Sequence, residues 1–221
     1  DVSLKDLNLV VNNLCFVEKI KGRGLDIPFI IKDFNLIKWI GANSFRTSHY
    51  PYSEELMDQA DEQGIVIIDE TPAVAMDFFD KRVLEQHLKV VTELYQRDKN
   101  RPSVVMWSVA NEPKCTKKEA GPYFENVTRH ARTLDSTRPI TAATYVPFDQ
   151  DQMAQYLDVL MINRYYGWYS DTGYPQIIYK QITNDFNNWF KKYNKPVMIS
   201  EYGADTLAGM HMVSNYSQHS V

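Results

Sequence analysis

The sequence predicts an α/β protein built on a parallel sheet with helices packed on both faces. Three observations predict it. Short apolar runs recur along the chain from about residue 26. Between them, apolar residues return every three or four positions, the period of an amphipathic helix. The short runs are apolar throughout rather than alternating, as strands buried on both faces must be.

The elements follow in order. Ile30, Phe34 and Ile37 share one helical face, and a strand-like run covers residues 42–48. Ser53 is placed to cap a helix carrying Leu56, Met57 and Ala60. Glu54 and Glu55 complement its N-terminal dipole, and Gly64 ends it. Residues 65–68 read as a buried strand. Val83, His87, Val91 and Leu94 mark the next helix, with His87 a packed or surface residue, and 104–107 the next strand. Pro122 opens a helix with Phe124, Val127, Ala131 and Leu134 on one face. Residues 139–145 and 157–162 are strands. Ile178, Ile182, Phe186, Trp189 and Tyr193 form a last helical stripe before the strand 196–200. Six strands fit most of an eight-stranded β/α barrel or the whole of a doubly wound sheet. Periodicity alone does not choose between them. No glycine-rich phosphate loop follows any strand, which weakens the nucleotide-binding version.

Composition narrows the function classes. The 221 residues are 44% hydrophobic and 24% charged, enough for a sizeable core. A net charge of −4 argues against nucleic acid as a partner. No apolar run approaches the roughly 18 residues that span a membrane. Two cysteines, Cys15 and Cys115, could pair but cannot build a disulfide scaffold, and no zinc spacing occurs. The chain starts at Asp1 without a basic-then-apolar leader, which suggests a processed, trimmed or partial chain.

Five of the six apolar strands run into a polar cluster. These are Arg46-Thr47-Ser48-His49-Tyr50, Asp69-Glu70, Asn111-Glu112-Pro113, Asn163-Arg164-Tyr165-Tyr166 and Glu201-Tyr202-Gly203. In parallel β/α folds the C-terminal strand ends converge on one face, where active sites are built. Any one cluster could be a hydrated strand end; five together point to a site. Glu112 and Glu201 stand out as carboxylates far apart in sequence, each after a strongly apolar strand. A protonated carboxyl beside a charged one is the basic equipment of glycoside hydrolysis. The bland alternative is that each glutamate merely pairs with Arg46 or Arg164. Competing chemistries are less complete. The histidines show no metal spacing and no GxSxG elbow occurs. Asp69-Glu70 could touch a divalent metal but has no obvious further ligands. We expect neither a metal nor any other cofactor.

At this point two long motifs carry a resemblance. Residues 98–112, from Asp98-Lys99-Asn100-Arg101-Pro102 to Asn111-Glu112, resemble the acid/base signature of family-2 glycoside hydrolases. Residues 43–68, from Asn43-Ser44-Phe45-Arg46-Thr47-Ser48-His49-Tyr50-Pro51 to the strand after Gly64, resemble that family's other signature. Within the family, 163–169 and 201–209 look like β-glucuronidases rather than β-galactosidases or β-mannosidases. The similarity runs from about Gly22 to His211.

The resemblance implies a (β/α)8 TIM barrel and the retaining hydrolysis of terminal β-D-glucuronides through a covalent glycosyl-enzyme. It implies Glu112 as acid/base and Glu201 as nucleophile. Asn111 would bond the sugar 2-hydroxyl, Tyr165 would bond the nucleophile, and Arg46 would help keep it charged. His49, Asn163 and Tyr169 would line the pocket. The partner is then a carbohydrate, with a homo-oligomer left open. The location would be lysosomal or secreted for an animal protein and cytoplasmic for a bacterial one. Asn126-Val127-Thr128 and Asn215-Tyr216-Ser217 are candidate glycan acceptors.

Departures shape the domain reading: 1–21 as a divergent segment, 22–211 as the barrel, 212–221 as a divergent tail. Residues 14–20 do not match the family's His- and acid-rich first strand end. The eighth strand, the Asn-x-Lys element that clamps the glucuronate carboxylate, and the jelly-roll and immunoglobulin-like domains are not found. A fragment, a splice form or a degraded gene product would each read this way. Arg164 and Tyr169 could partly replace the clamp. The expectation is turnover by this chain at least about a hundredfold below that of an intact family member, since a roughly 1 Å misplacement has that effect.

Overall fold

A computed structural model of the chain describes Leu9, Val10 and residues 25–203. The elements are β1 (Leu9–Val10), α1 (Ile27–Trp39), β2 (Ser44–Arg46), α2 (Glu54–Gln63), β3 (Val66–Glu70), α3 (Lys81–Asp98), β4 (Val104–Asn111), α4 (Ala120–Leu134), β5 (Ile140–Thr144), β6 (Leu160–Asn163), α5 (Ile178–Tyr193) and β7 (Val197–Glu201). The strands form one seven-stranded sheet in chain order, and every neighbouring pair is parallel. A doubly wound sheet reverses its strand order at a switch point; this one never does, so it is a barrel wall. Among the described residues β1 and β7 are its two ends, and the barrel is incomplete. The expected tail and the missing eighth strand concern residues outside those described.

Local chemistry sets the helix ends. Asp26 and Ser53 accept from the Phe29 and Leu56 amides at the starts of α1 and α2. Gly64 closes α2 in the left-handed region at φ 70°, which a residue with a Cβ adopts only under strain.

Three sequence expectations need correction. A seventh strand, Leu9–Val10, pairs with Ser44 and Phe45 inside the segment read as divergent; two residues carry no periodicity to detect. The run 42–48 contributes only three strand residues. Thr47 lies just past the strand end: its amide still donates to the Ile68 carbonyl at 3.0 Å, and its hydroxyl both donates to Asp69 Oδ1 at 3.0 Å and accepts from the Glu70 amide at 2.7 Å. Helix α4 begins at Ala120 rather than Pro122. The first turn has no intrahelical acceptors for its N–H groups, so proline is tolerated there as well as at the first position.

The sheet separates two cores. Ile67, Val104 and Trp107 face the helices and join Ile30, Phe34, Ile37, Leu56, Met57 and Ala60. A larger outer cluster gathers around Phe124, Val127, Ile140, Leu160 and Trp189. On the opposite face Ile68, Met106, Ala143, Val159 and Met161 fill the barrel interior. Strand side chains alternate, so two residues beyond Ile68, Met106 and Met161 the same face presents Glu70, Ser108 and Asn163. The barrel floor is apolar and its C-terminal rim is polar.

Candidate active site

Arg46 ends β2 fully buried among acids. Its Nη1 donates to both Glu70 oxygens, at 2.8 and 2.7 Å, and to Asn111 Oδ1 at 3.2 Å. Its Nη2 donates to Glu201 Oε1 at 2.5 Å. Burial alone would lower the guanidinium's pKa, but Glu70 and Glu201 outweigh it and hold the pKa up. Glu70 is likewise buried, which raises a carboxyl. Arg46, His49 and Ser108 reverse that and hold it below its ordinary value. Ser108 Oγ donates to Glu70 Oε2 at 2.6 Å.

Glu201 ends β7, with its side chain 19% exposed. Its Oε1 takes the Arg46 contact and its Oε2 accepts from the Tyr165 hydroxyl. Burial, then the bond to Glu201, pushes the Tyr165 phenol well above its usual range, so it remains a donor. Tyr169 lies edge-on to Tyr165 at 4.9 Å and is more than half exposed. His49 stands between the acids, with Nδ1 3.5 Å from Glu70 and Nε2 3.9 Å from Glu201.

Glu112 follows β4 in a different setting. Asn163 Nδ2 donates to Glu112 Oε1 at 2.7 Å, and the Asn163 Oδ1 accepts from Ser200 Oγ at 2.6 Å. The Glu112 backbone sits at φ 49°, in the left-handed region that L-residues avoid. Its amide donates to the Ala143 carbonyl at 2.9 Å, which ties the turn to β5. Strain of about 1–3 kcal/mol of this kind persists where surrounding contacts impose it, and it clusters at functional sites.

The eight site residues expected from the sequence thus meet at one rim. Arg46, His49, Asn111, Glu112, Asn163, Tyr165 and Glu201 form one contact network, and Tyr169 packs beside it. Other candidates fall away. Arg164 does not face the site. It donates to Asp185 at 2.5 Å and to the Tyr145, Val146 and Asn163 carbonyls, which fastens β6 to the barrel wall. Asp69 turns to Thr47 on the other side of β3. Cys115 carries a free buried thiol; Cys15 lies outside the described residues. Asn126 and Thr128 bond Pro122 and Phe124 carbonyls within α4, so this triplet is no glycan-accepting loop. Asn215 lies outside the described residues. His87 is packed in the core rather than on the surface. The sequence reading did not assign Ser108 a role, because a serine inside an apolar strand gives no signal until its partner is known.

A barrel rim with these carboxylates is the setting of a glycoside hydrolase, and the comparisons agree. The model of "Glycosyl hydrolases family 2, TIM barrel domain" matches residues 5–220, and the chain belongs to that family. Rat β-glucuronidase is 52% identical over 195 residues, 87% of this chain and 30% of its own length; the human protein is 49% identical over the same span. Among solved structures, a β-glucuronidase from an uncultured Clostridium superposes with a TM-score of 0.84 at 51% identity, covering 88% of this chain and 35% of that one. Bifidobacterium dentium β-glucuronidase, complexed with coumarin-3-O-glucuronide, gives 0.82 at 40% identity over 89% and 33%. The chain therefore spans about a third of the length of these relatives.

Proposed function

We propose that this chain carries the catalytic centre of a retaining β-glucuronidase, on a barrel unit that takes in β1 (Leu9–Val10) as well as the 22–211 read from the sequence. One observation supports the reading above the others: one carboxylate at the rim is held by a cation and a phenol, the other by a neutral amide. Glu201, held by Arg46 and Tyr165, attacks the anomeric carbon and forms the glycosyl-enzyme. Glu112, with no cation on its carboxyl among the described residues, gives its proton to the leaving oxygen. It then takes one from the water that hydrolyses the intermediate. Asn111, whose Oδ1 is held by Arg46, has its amide nitrogen to offer the sugar 2-hydroxyl. His49, Asn163 and Tyr169 line the same opening. The substrate class follows from the relatives, which are named for β-glucuronides.

A location that is lysosomal or secreted for an animal protein and cytoplasmic for a bacterial one, and a homo-oligomer, belong to the same proposal. No helix among the described residues is long and apolar enough to cross a membrane. The test is release of a chromophore from a chromogenic β-glucuronide, with the anomer of the first product read by NMR. Retention of the β-configuration supports the reading, and the product being the α-anomer sinks it. Turnover is expected at least about a hundredfold below an intact family member, through looser positioning of the sugar. Turnover at the intact level that Glu201→Gln abolishes would overturn that expectation but keep the chemistry.

A further inference from the structure

Among the described residues, every ion and donor around Glu201 is accounted for by the proposed chemistry except Glu70. It is completely buried and brings a second negative charge within one side chain of the nucleophile. Burying a carboxylate is expensive unless it is paired and fully hydrogen-bonded. Here it is: Arg46 spans both oxygens, Ser108 donates to one and His49 stands 3.5 Å from the other. The grip is unequal. Glu70 takes one guanidinium nitrogen with both oxygens, so the other nitrogen alone reaches Glu201.

Building on the function proposed above, we infer that Glu70 is a positioning residue. It fixes the rotation of the Arg46 guanidinium and shares its charge, so that one guanidinium nitrogen rather than two reaches Glu201. Three consequences follow from the geometry. Arg46 cannot turn to offer Glu201 a two-pronged pair, which would quench a nucleophile by doubling its charge-assisted bonds. The same Nη1 holds Asn111 Oδ1 at 3.2 Å, so the residue facing the 2-hydroxyl is set by the same carboxylate. And the charge facing Glu201 is set jointly. Among the described residues the groups facing Glu201 are Arg46 from β2, His49 after it, and Tyr165 after β6. Glu70 acts through Arg46, and Asn111, Glu112 and Asn163 complete the rim.

The test is covalent labelling of the 221-residue chain by a 2-deoxy-2-fluoro-β-glucuronyl fluoride. Mass spectrometry identifies the labelled residue, and the rate is followed against pH. Fluoride leaves without acid assistance, so the acid limb reports the nucleophile's ionisation alone. In Glu70→Gln, a near-isosteric change, Arg46's charge falls on Glu201 alone and the carboxylate becomes harder to protonate. The acid limb then moves about one pH unit lower, the lower end of the effect of a neighbouring charge, and labelling slows about a hundredfold as Arg46 swings. Glu70→Asp keeps the charge but shortens the grip: labelling slows and the limb stays where it was. A merely structural Glu70 would slow labelling in Glu70→Gln with the limb unmoved, and that result overturns the inference. If Glu70→Gln does not fold, Glu70→Asp decides alone, and wild-type labelling rates in it overturn the inference too. Wild-type chain that labels elsewhere than Glu201 would instead remove the proposed function.

Discussion

The two halves of the rim are built from different materials. Beneath Glu201 lies an ionic network: Arg46 bridging Glu70 and Glu201, with Tyr165 and His49 alongside. Around Glu112 the supports among the described residues are neutral. Asn163 donates to its carboxyl. Three residues back along β4, the Val109 carbonyl accepts from Thr71 Oγ1 at 2.7 Å and from His87 Nε2 at 2.8 Å. A carbonyl can only accept, so the His87 proton sits on Nε2, and Nδ1 accepts from the Tyr123 hydroxyl at 2.9 Å. A cation sits on Glu201 and none among the described residues bonds the Glu112 carboxyl, the division that the proposed roles of nucleophile and acid/base call for.

The largest effects should separate the halves by leaving group. Glu201→Gln should lower turnover at least about 10⁴-fold for every substrate, since the covalent step is gone. Glu112→Gln should cost about 10²–10⁴-fold on a poor leaving group. It should leave the first step on a dinitrophenyl glucuronide near the wild-type rate, because that group departs without a proton. Equal losses in the two variants across a leaving-group series would erase the division.

Stability should divide the same way. Arg46→Met strands Glu70 as an unpaired buried charge, and melting should report a loss of about 3–5 kcal/mol. Asn163→Ala removes neutral bonds and should cost about 1–3 kcal/mol. The reverse order would mean that the ionic network is not what holds the rim. Tyr165→Phe should fold normally and lose about a hundredfold in turnover, the scale of one donor aimed at a reacting oxyanion or carboxylate. An unaffected rate would put the phenol outside the chemistry.

How much of this was legible beforehand depends on what each residue must touch. The strand-end rule placed Arg46, Asn111, Glu112, Asn163 and Glu201 on one rim because strand direction is written in the apolar runs themselves. The order of the sheet was not legible: six apolar runs fit two topologies, and only the pairing of neighbours decided. Arg164 shows the other limit. Its type and position equal those of a pocket residue, and whether it meets a ligand or Asp185 depends on a helix 21 residues away. The long motif 98–112 splits in two. Its end carries Glu112, while Arg101 ties Asp98, Asp58 and Asp61 together at the other end of the strand. A motif match cannot tell the anchor from the chemistry.

The smallest effect tests the neutral half through pH. Burial lowers the His87 pKa to about 4, despite its bond to the Val109 carbonyl. Unfolded, a histidine titrates near 6.5, so folding favours the neutral ring. The stability this provides is complete above the unfolded value and is lost as pH falls from about 6.5 towards 4. Between pH 8 and pH 5 the linkage amounts to about 2 kcal/mol. Other groups titrate in the same window, so the readout is a difference. His87→Gln cannot take up the proton, and it should be less stable than wild type at pH 8 because glutamine cannot reproduce the span from Tyr123 to Val109. That gap should close by about 2 kcal/mol at pH 5. A gap that stays constant with pH would show that His87 does not titrate on unfolding. The neutral support of β4 would then have to be credited to Thr71 alone.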